Sequence, residues 1–181
     1  MDLSTRIRER RLALGLTLEA LAERTGVSRA MLSDIERGRK NPTVKLLAGI
    51  AEGLGCTVSA LLGEDGGPPR EAISVVRRSE RRTLVDPRSG VERQGLAPAL
   101  LHRGVEVIWY DIPPGQETGA FPPHRPGVEE HITVVAGRLR CTLAGQELTL
   151  ETGDSVTFRG DIVHNFANAG PEPCRYLLII L

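Results

Sequence analysis

Leu16-Thr-Leu-Glu-Ala-Leu-Ala-Glu-Arg-Thr-Gly-Val-Ser-Arg-Ala-Met-Leu-Ser-Asp-Ile-Glu-Arg-Gly38 decides how this chain begins. The stretch reads as two short helices joined at a glycine. Leu18, Leu21 and Ala22 fall on one helical face, and Leu32 and Ile35 on one face of the next. Gly26 suits the left-handed conformation that ends a helix. Ser28 is placed to cap the helix that follows, and Thr17 the one before it. Two helices backed by apolar residues and joined this tightly leave the front of the second free to enter a DNA major groove.

Working outward, the helical pattern extends from Leu3 to Leu62. Leu3, Ile7 and Leu14 recur at helical spacing, as do Leu46, Leu47, Ile50, Ala51 and Leu54. Thr43 and Thr57 stand at N-cap positions, and Gly38 and Gly55 where helices should stop. The pattern predicts four helices and a short fifth. Gly63-Glu-Asp-Gly-Gly-Pro-Pro-Arg70 then reads as a linker, because glycine frees the backbone and proline blocks regular structure. Beyond it the period changes to that of strands. Runs at Ile73–Val76, Val105–Tyr110, His131–Ala136, Leu139–Leu143, Glu147–Leu150, Ser155–Phe158 and Arg175–Leu181 alternate with Gly and Pro turns. Residues 77–104 are arginine-rich and weakly patterned, with only scattered strand expected. The organisation predicted is therefore an all-α module over residues 1–62, a linker over 63–70 and an all-β module over 71–181.

Composition agrees with a folded two-module chain. The 181 residues are 40% hydrophobic and 25% charged, with zero net charge. The charge is unevenly spread: residues 1–45 hold ten Arg or Lys against six acids, residues 111–181 five against nine. Cations gathered at the N-terminal end suit local phosphate contacts rather than a general nucleic-acid coat. No apolar run approaches the ~20 residues needed to span a bilayer, and the first residues lack a signal-peptide core. Cys56, Cys141 and Cys174 are odd in number and widely spaced, which argues against a disulfide framework. A cytoplasmic protein is expected.

Residues 3–62, and most specifically Ser28 to Gly38 with Arg39-Lys-Asn-Pro42, resemble the XRE-type, lambda-repressor-like helix-turn-helix family. That resemblance implies double-stranded operator DNA as partner, with Arg29, Ala30, Ser33 and Asp34 facing base edges and Val27, Leu32 and Ile35 packing inward. Chemistry supports those roles. An early recognition-helix arginine such as Arg29 can bridge a guanine or clamp a phosphate. The helix opened by Thr17 offers amide dipoles to a phosphate, and Ser28 caps the reading helix. Arg37, Arg39 and Lys40 suit backbone contacts. Glu36 lies where the helix dipole disfavours a carboxylate, and the resemblance implies that it pairs internally with Arg11.

In the second module, His124-Arg-Pro-Gly-Val-Glu-Glu130 and Gly153-Asp-Ser-Val-Thr-Phe-Arg-Gly-Asp-Ile-Val-His164, followed by Asn168, resemble the two motifs of the cupin fold over about residues 104–181. The resemblance implies a double-stranded β-helix, or jelly-roll barrel, with His124, Glu130 and His164 pointing inward around a divalent metal such as zinc. The pattern is incomplete. Pro126 stands where a second histidine is expected, and Arg159 and Asp161 where proline and glycine are common. Strand alternation turns His131 outward if Glu130 points in. Cys141 shares the inward parity of Leu139 and Leu143, which makes it the candidate fourth ligand. Two alternatives stand beside a metal: a metal-free ligand pocket, or a barrel used only for dimerisation. Together the modules imply a homodimeric, effector-responsive transcriptional regulator, and the competing reading is a dioxygenase- or isomerase-type cupin enzyme. Arg77, Arg78, Arg81 and Arg82 are expected on an exposed face or at an interdomain contact, with DNA contact as the alternative.

Overall fold

The computed structural model describes residues 2–64 and 73–181. Five helices come first: α1 (Leu3–Ala13), α2 (Leu18–Thr25), α3 (Arg29–Glu36), α4 (Val44–Gly53) and α5 (Val58–Leu62). Each starts at a polar side chain that accepts the backbone N–H three residues on. Asp2 accepts from Thr5, Thr17 from Ala20, Ser28 from Met31, Thr43 from Leu46 and Thr57 from Ala60, over 2.8–3.3 Å. A cap of this kind is worth ~1 kcal/mol, so helix starts here are set by single residues. Gly26 ends α2 at φ +67°, a conformation that a Cβ would strain.

Ile7, Leu21, Leu32, Ile35, Leu47 and Ile50 close the helical core with almost no exposure. Leu14 does not join them: α1 stops at Ala13, and Leu14 is half exposed. One charged pair enters the core edge. Arg11 Nε and Nη2 donate to Glu36 Oε1 and Oε2 at 2.6 and 2.8 Å, and Arg11 Nη1 donates to the Leu16 carbonyl at 2.7 Å. The two-armed bond satisfies Glu36 at the end of α3 and ties α1 to the reading helix.

Nine strands follow: β1 (Thr83–Val85), β2 (Glu92–Gly95), β3 (Glu106–Ile112), β4 (Glu129–Ala136), β5 (Arg138–Leu143), β6 (Gln146–Glu151), β7 (Ser155–Arg159), β8 (His164–Asn168) and β9 (Cys174–Ile180). They form a six-stranded sheet ordered β1-β2-β3-β9-β4-β7 and a three-stranded sheet ordered β6-β5-β8, all antiparallel. Strict alternation in β3 buries Glu106, Ile108, Tyr110 and Ile112. Opposite them lie Leu139, Cys141, Leu143 and Phe166. Tyr110 stacks on Tyr176 with ring centroids 5.0 Å apart.

The structure sharpens the expected β module and corrects one of its strands. The two sheets face each other without closing into a hydrogen-bonded barrel; bridges at Glu117–Ala167 and Phe121–His164 join a loop to β8 instead. Ile73–Val76 is not a strand: it pairs with none among the described residues, and Ile73 and Val75 lie exposed. The strand β8 follows directly from the second motif and was hidden there by its polar His and Asn residues. Of the expected linker, only Gly63 and Glu64 fall within the described residues, and Glu64 is buried.

The modules touch. Arg82 donates to the carbonyl of Leu62 at the end of α5. Ser59 Oγ, on α5, donates to Glu106 Oε2 at 2.6 Å and accepts from Arg93 Nη2 at 2.9 Å. Replacing Arg11 by Met strands the Glu36 carboxylate in the helical core. We expect a loss of about 3 kcal/mol in urea unfolding; a neutral result would remove the pair from the structural account.

Candidate functional site

Three side chains from two sheets and a loop converge. Glu130 projects inward from β4, His164 from the start of β8, and His124 from the loop ahead of β4. Their ligand atoms all lie within 4.8 Å of one another. Glu130 Oε1 stands 3.1 Å from His124 Nε2 and 3.4 Å from His164 Nε2. Both Glu130 oxygens are fully buried and lack a well-formed hydrogen bond. His164 Nδ1 lies 2.8 Å from the Ile162 carbonyl, so Nδ1 carries the proton and Nε2 turns its lone pair toward Glu130. A lone pair facing a carboxylate with nothing between them is an unfavourable pair that a cation relieves, and a fixed outer N–H is what metal-ligating imidazoles normally have. The cluster is compatible with a divalent metal.

Local electrostatics divide the two imidazoles. The adjacent Glu130 carboxylate holds His124 above the usual histidine range, with Glu52 assisting. Burial pushes His164 below it, against the pull of Glu130. Backbone geometry keeps the site tight. The Gly160 N–H donates to Val128 O at 2.8 Å, and the Gly160 carbonyl accepts from the His124 N–H at 2.9 Å. A Cβ on Gly160 would stand 2.9 Å from Val128, 3.2 Å from His124 and 3.3 Å from Glu130. Arg159 and Asp161, which depart from the motif, pair with each other on the outside.

Cys141 does not join the cluster. Its parity is inward, but β5 pairs Leu143 with His164 and Cys141 with Phe166. It is thus displaced by one pleat repeat, ~7 Å, along β8. It is fully buried, and burial pushes its thiol up to about 12, unlike a thiolate ligand. His131 lies on the other face of β4, with Nδ1 2.8 Å from Thr157 Oγ1.

The cluster opens on a cavity of about 260 Å³. Phe121, Tyr110 and Phe166 supply apolar wall, and Arg93 and Glu106 a second polar group. The first module contributes too: Ala48, Ala51 and Glu52 of α4 and Cys56 just after it line the same space. Glu52 Oε2 lies 3.8 Å from His124 Nδ1. Neither Arg93 nor the helical wall was foreseen. Arg93 sits in a stretch without clear periodicity, and only the β2–β3 pairing brings it inward.

On the N-terminal module the expected reading face is open. Ser28, Arg29 and Ala30 are exposed, with Ser33 and Asp34 half-buried behind them. Thr17 caps α2 at an exposed position. Arg29 Nε pairs with Glu19 at 2.5 Å, both exposed; such a pair is weak and yields easily to another partner. Asp34 gathers three cations, with Arg37, Arg39 and Lys40 at 3.5, 3.8 and 4.0 Å. It thereby orders a basic edge beside α3. Val27 is partly buried, and Leu32 and Ile35 pack fully inward.

Comparison with known proteins places both modules. The helix-turn-helix family matches residues 7–61 and the cupin domain family residues 108–180. The HTH-type transcriptional regulator SutR of Escherichia coli (strain K12) is 31% identical over 98% of this chain and 93% of its own. The HTH-type transcriptional regulator PuuR of the same organism is 27% identical over 95% and 90%. A crystal structure of an HTH_3 family transcriptional regulator from Vibrio cholerae superposes with a TM-score of 0.80 at 30% identity, over 98% of this chain and 93% of that one. The hydroxypropylphosphonic acid epoxidase of S. wedmorenis, at 20% identity and a TM-score of 0.52 over 99% and 96%, shares the fold alone. Among the described residues no helix is long and apolar enough to cross a membrane. The sequence relatives that match along nearly the whole length, SutR and PuuR, are transcriptional regulators, and this chain belongs to the family of HTH-type transcriptional regulators that join a helix-turn-helix module to a cupin domain.

Proposed function

We propose that this chain works as a cytoplasmic homodimer that reads an operator with α3 and responds to a small molecule held beside a metal in the cupin cavity. One observation carries the reading: the face of α3 bearing Arg29 and Ala30 is exposed, while α4 of the same module walls the cavity. Arg29, Ala30, Ser33 and Asp34 are assigned to bases. Thr17, Arg37, Arg39 and Lys40 are assigned to phosphates, with Ser28 as the cap that aims the helix. A dimer follows from the way such modules read DNA, since two reading helices must meet half-sites about 34 Å apart.

His124, Glu130 and His164 would hold the metal, and Glu130 would supply the formal negative charge. When bound, a zinc-like ion with three protein ligands offers an open position to an oxygen or nitrogen of the effector. The protein's own residues do the rest. Gly160 lets His124 and Glu130 approach, the Ile162 carbonyl fixes the tautomer of His164, and Phe121 and Phe166 exclude water. An effector alters DNA binding only if it favours one arrangement of the modules over another.

Selection of bound fragments from random duplex DNA should return a two-fold symmetric site. Arg29→Ala should then relax base preference within each half-site. Lys40→Ala should weaken binding to all sequences alike and lower the salt slope by about 1. Recovery of no preferred sequence would overturn the reading.

For the sensor, zinc titration followed by elemental analysis should give one ion per chain in the wild type and none in His164→Ala. In metal-free protein, imidazole NMR should find His124 titrating above 6.5 and His164 below it. The inverse order would contradict the geometry described.

A further inference from the structure

The cavity contains a second polar group that the metal cluster does not use. Arg93 rises from β2 and is fully buried, with 2% side-chain exposure. Its Nη2 is occupied twice, by Glu106 Oε2 and by Ser59 Oγ, both at 2.9 Å. Its Nη1 is buried and has no hydrogen-bond partner, although Arg93 lines the cavity. A guanidinium arm stripped of water and left unbonded is costly, and more so than a neutral group. An acceptor entering the cavity would recover that cost. Glu106 already balances the positive charge, so what Nη1 lacks is a lone pair rather than an additional full anion.

Ser59 belongs to α5, in the DNA-binding module. Arg93, which lines the cavity, therefore also grips the DNA-binding module through Nη2. Nearby, the Glu64 N–H donates to the Ser59 carbonyl at 2.9 Å, and burial raises the Glu64 carboxyl above its usual range against the pull of Arg93. The cavity is thus shared between modules: Ala48, Ala51, Glu52 and Cys56 on one side, the strands on the other.

We infer that the effector site spans both modules, and that Arg93 reads an oxygen acceptor on the effector while relaying occupancy to α5 through Ser59. The occupant is a small molecule carrying a carbonyl or carboxylate oxygen. Its size is limited by a cavity of about 260 Å³, below the ~300–1,000 Å³ of sites for drug-sized ligands. The unbonded Nη1 takes the oxygen, and the metal cluster or Glu52 takes the remainder. Movement of Arg93 toward a ligand alters the Ser59 bond directly, with no need for the chain between the modules to carry the signal. This inference rests on the sensing role proposed above, but its test uses no DNA.

The probes are zinc-loaded full-length protein and three sets of two- to six-carbon compounds: carboxylic acids, their primary amides, and alkylamines of equal length. Acids or amides should raise the melting temperature in proportion to concentration, and amines should not. The same probes should slow amide hydrogen exchange in Val58–Leu62. Arg93→Lys keeps a charge for Glu106 and removes the second arm, so affinity should fall about tenfold, as for loss of one charge-assisted hydrogen bond. If that variant fails to fold, Arg93→Met with Glu106→Leu removes the charged pair together and should show the same loss. Ser59→Ala should still be stabilised by the probes but lose the added protection of Val58–Leu62. Equal binding of amines, no binding by any set, or affinity unchanged in both Arg93 variants would overturn the ligand assignment. Protection of α5 that persists in Ser59→Ala would overturn the relay. The same sets are run on metal-free protein, so failure of zinc loading, like failure of operator selection, strikes the earlier reading and leaves the Arg93 assignment tested.

Discussion

A buried arginine, Arg93, bonded at once to Glu106 of its own sheet and Ser59 of a helix in the other module, is the contact on which this architecture turns. Burying a charge is costly unless every partner is in place. Replacing such a pair with apolar residues is often neutral or stabilising, whereas removing one member strands the other. The gain from the arrangement is therefore geometry more than net stability. It fixes where α5 sits on the sheet, and α5 in turn sets where α4 closes the cavity. The two modules meet through this polar joint, through Arg82 on the Leu62 carbonyl and along the walls of the shared cavity.

The same logic recurs on a smaller scale inside the helical module. Arg11 and Glu36 bind the reading helix to α1 through a two-armed bond at the rim of the apolar core. Nonpolar packing of Leu21, Leu32 and Ile35 holds the helices together, and the ion pair settles their relative angle. On the outer surface the charges are used differently. The exposed Arg37, Arg39 and Lys40 gather on half-buried Asp34 in contacts that are weak in water, which leaves the cations available to phosphate. Buried pairs position; exposed ones remain exchangeable.

Much of this was legible in the sequence because it depends on local chemistry. Thr17, Ser28, Thr43 and Thr57 announce helix starts, since a hydroxyl that caps a helix acts on an amide three residues away. Glu130 and His164 were legible through the motif resemblance, and His131 through strand parity. The failures lie where distant partners decide. Ile73–Val76 has strand composition but no strand to pair with. Cys141 has the correct parity, yet register places it beside Phe166 and not His164. Arg93 gave no signal at all, because nothing in Glu92-Arg-Gln-Gly95 distinguishes a buried arginine from a surface one. Its role appears only when β2 pairs with β3 and α5 arrives above them.

Whether the joint between the modules is real as an energetic coupling can be measured without knowing operator or effector. A double-mutant cycle on Ser59→Ala and Glu106→Gln, read by urea unfolding of the full chain, isolates their interaction from each single loss. Residues bonded in one network show coupling of ~0.5–3 kcal/mol, and that is the result expected for this pair. Strictly additive effects would mean that Ser59 and Glu106 do not share a bond in solution, and would contradict the account.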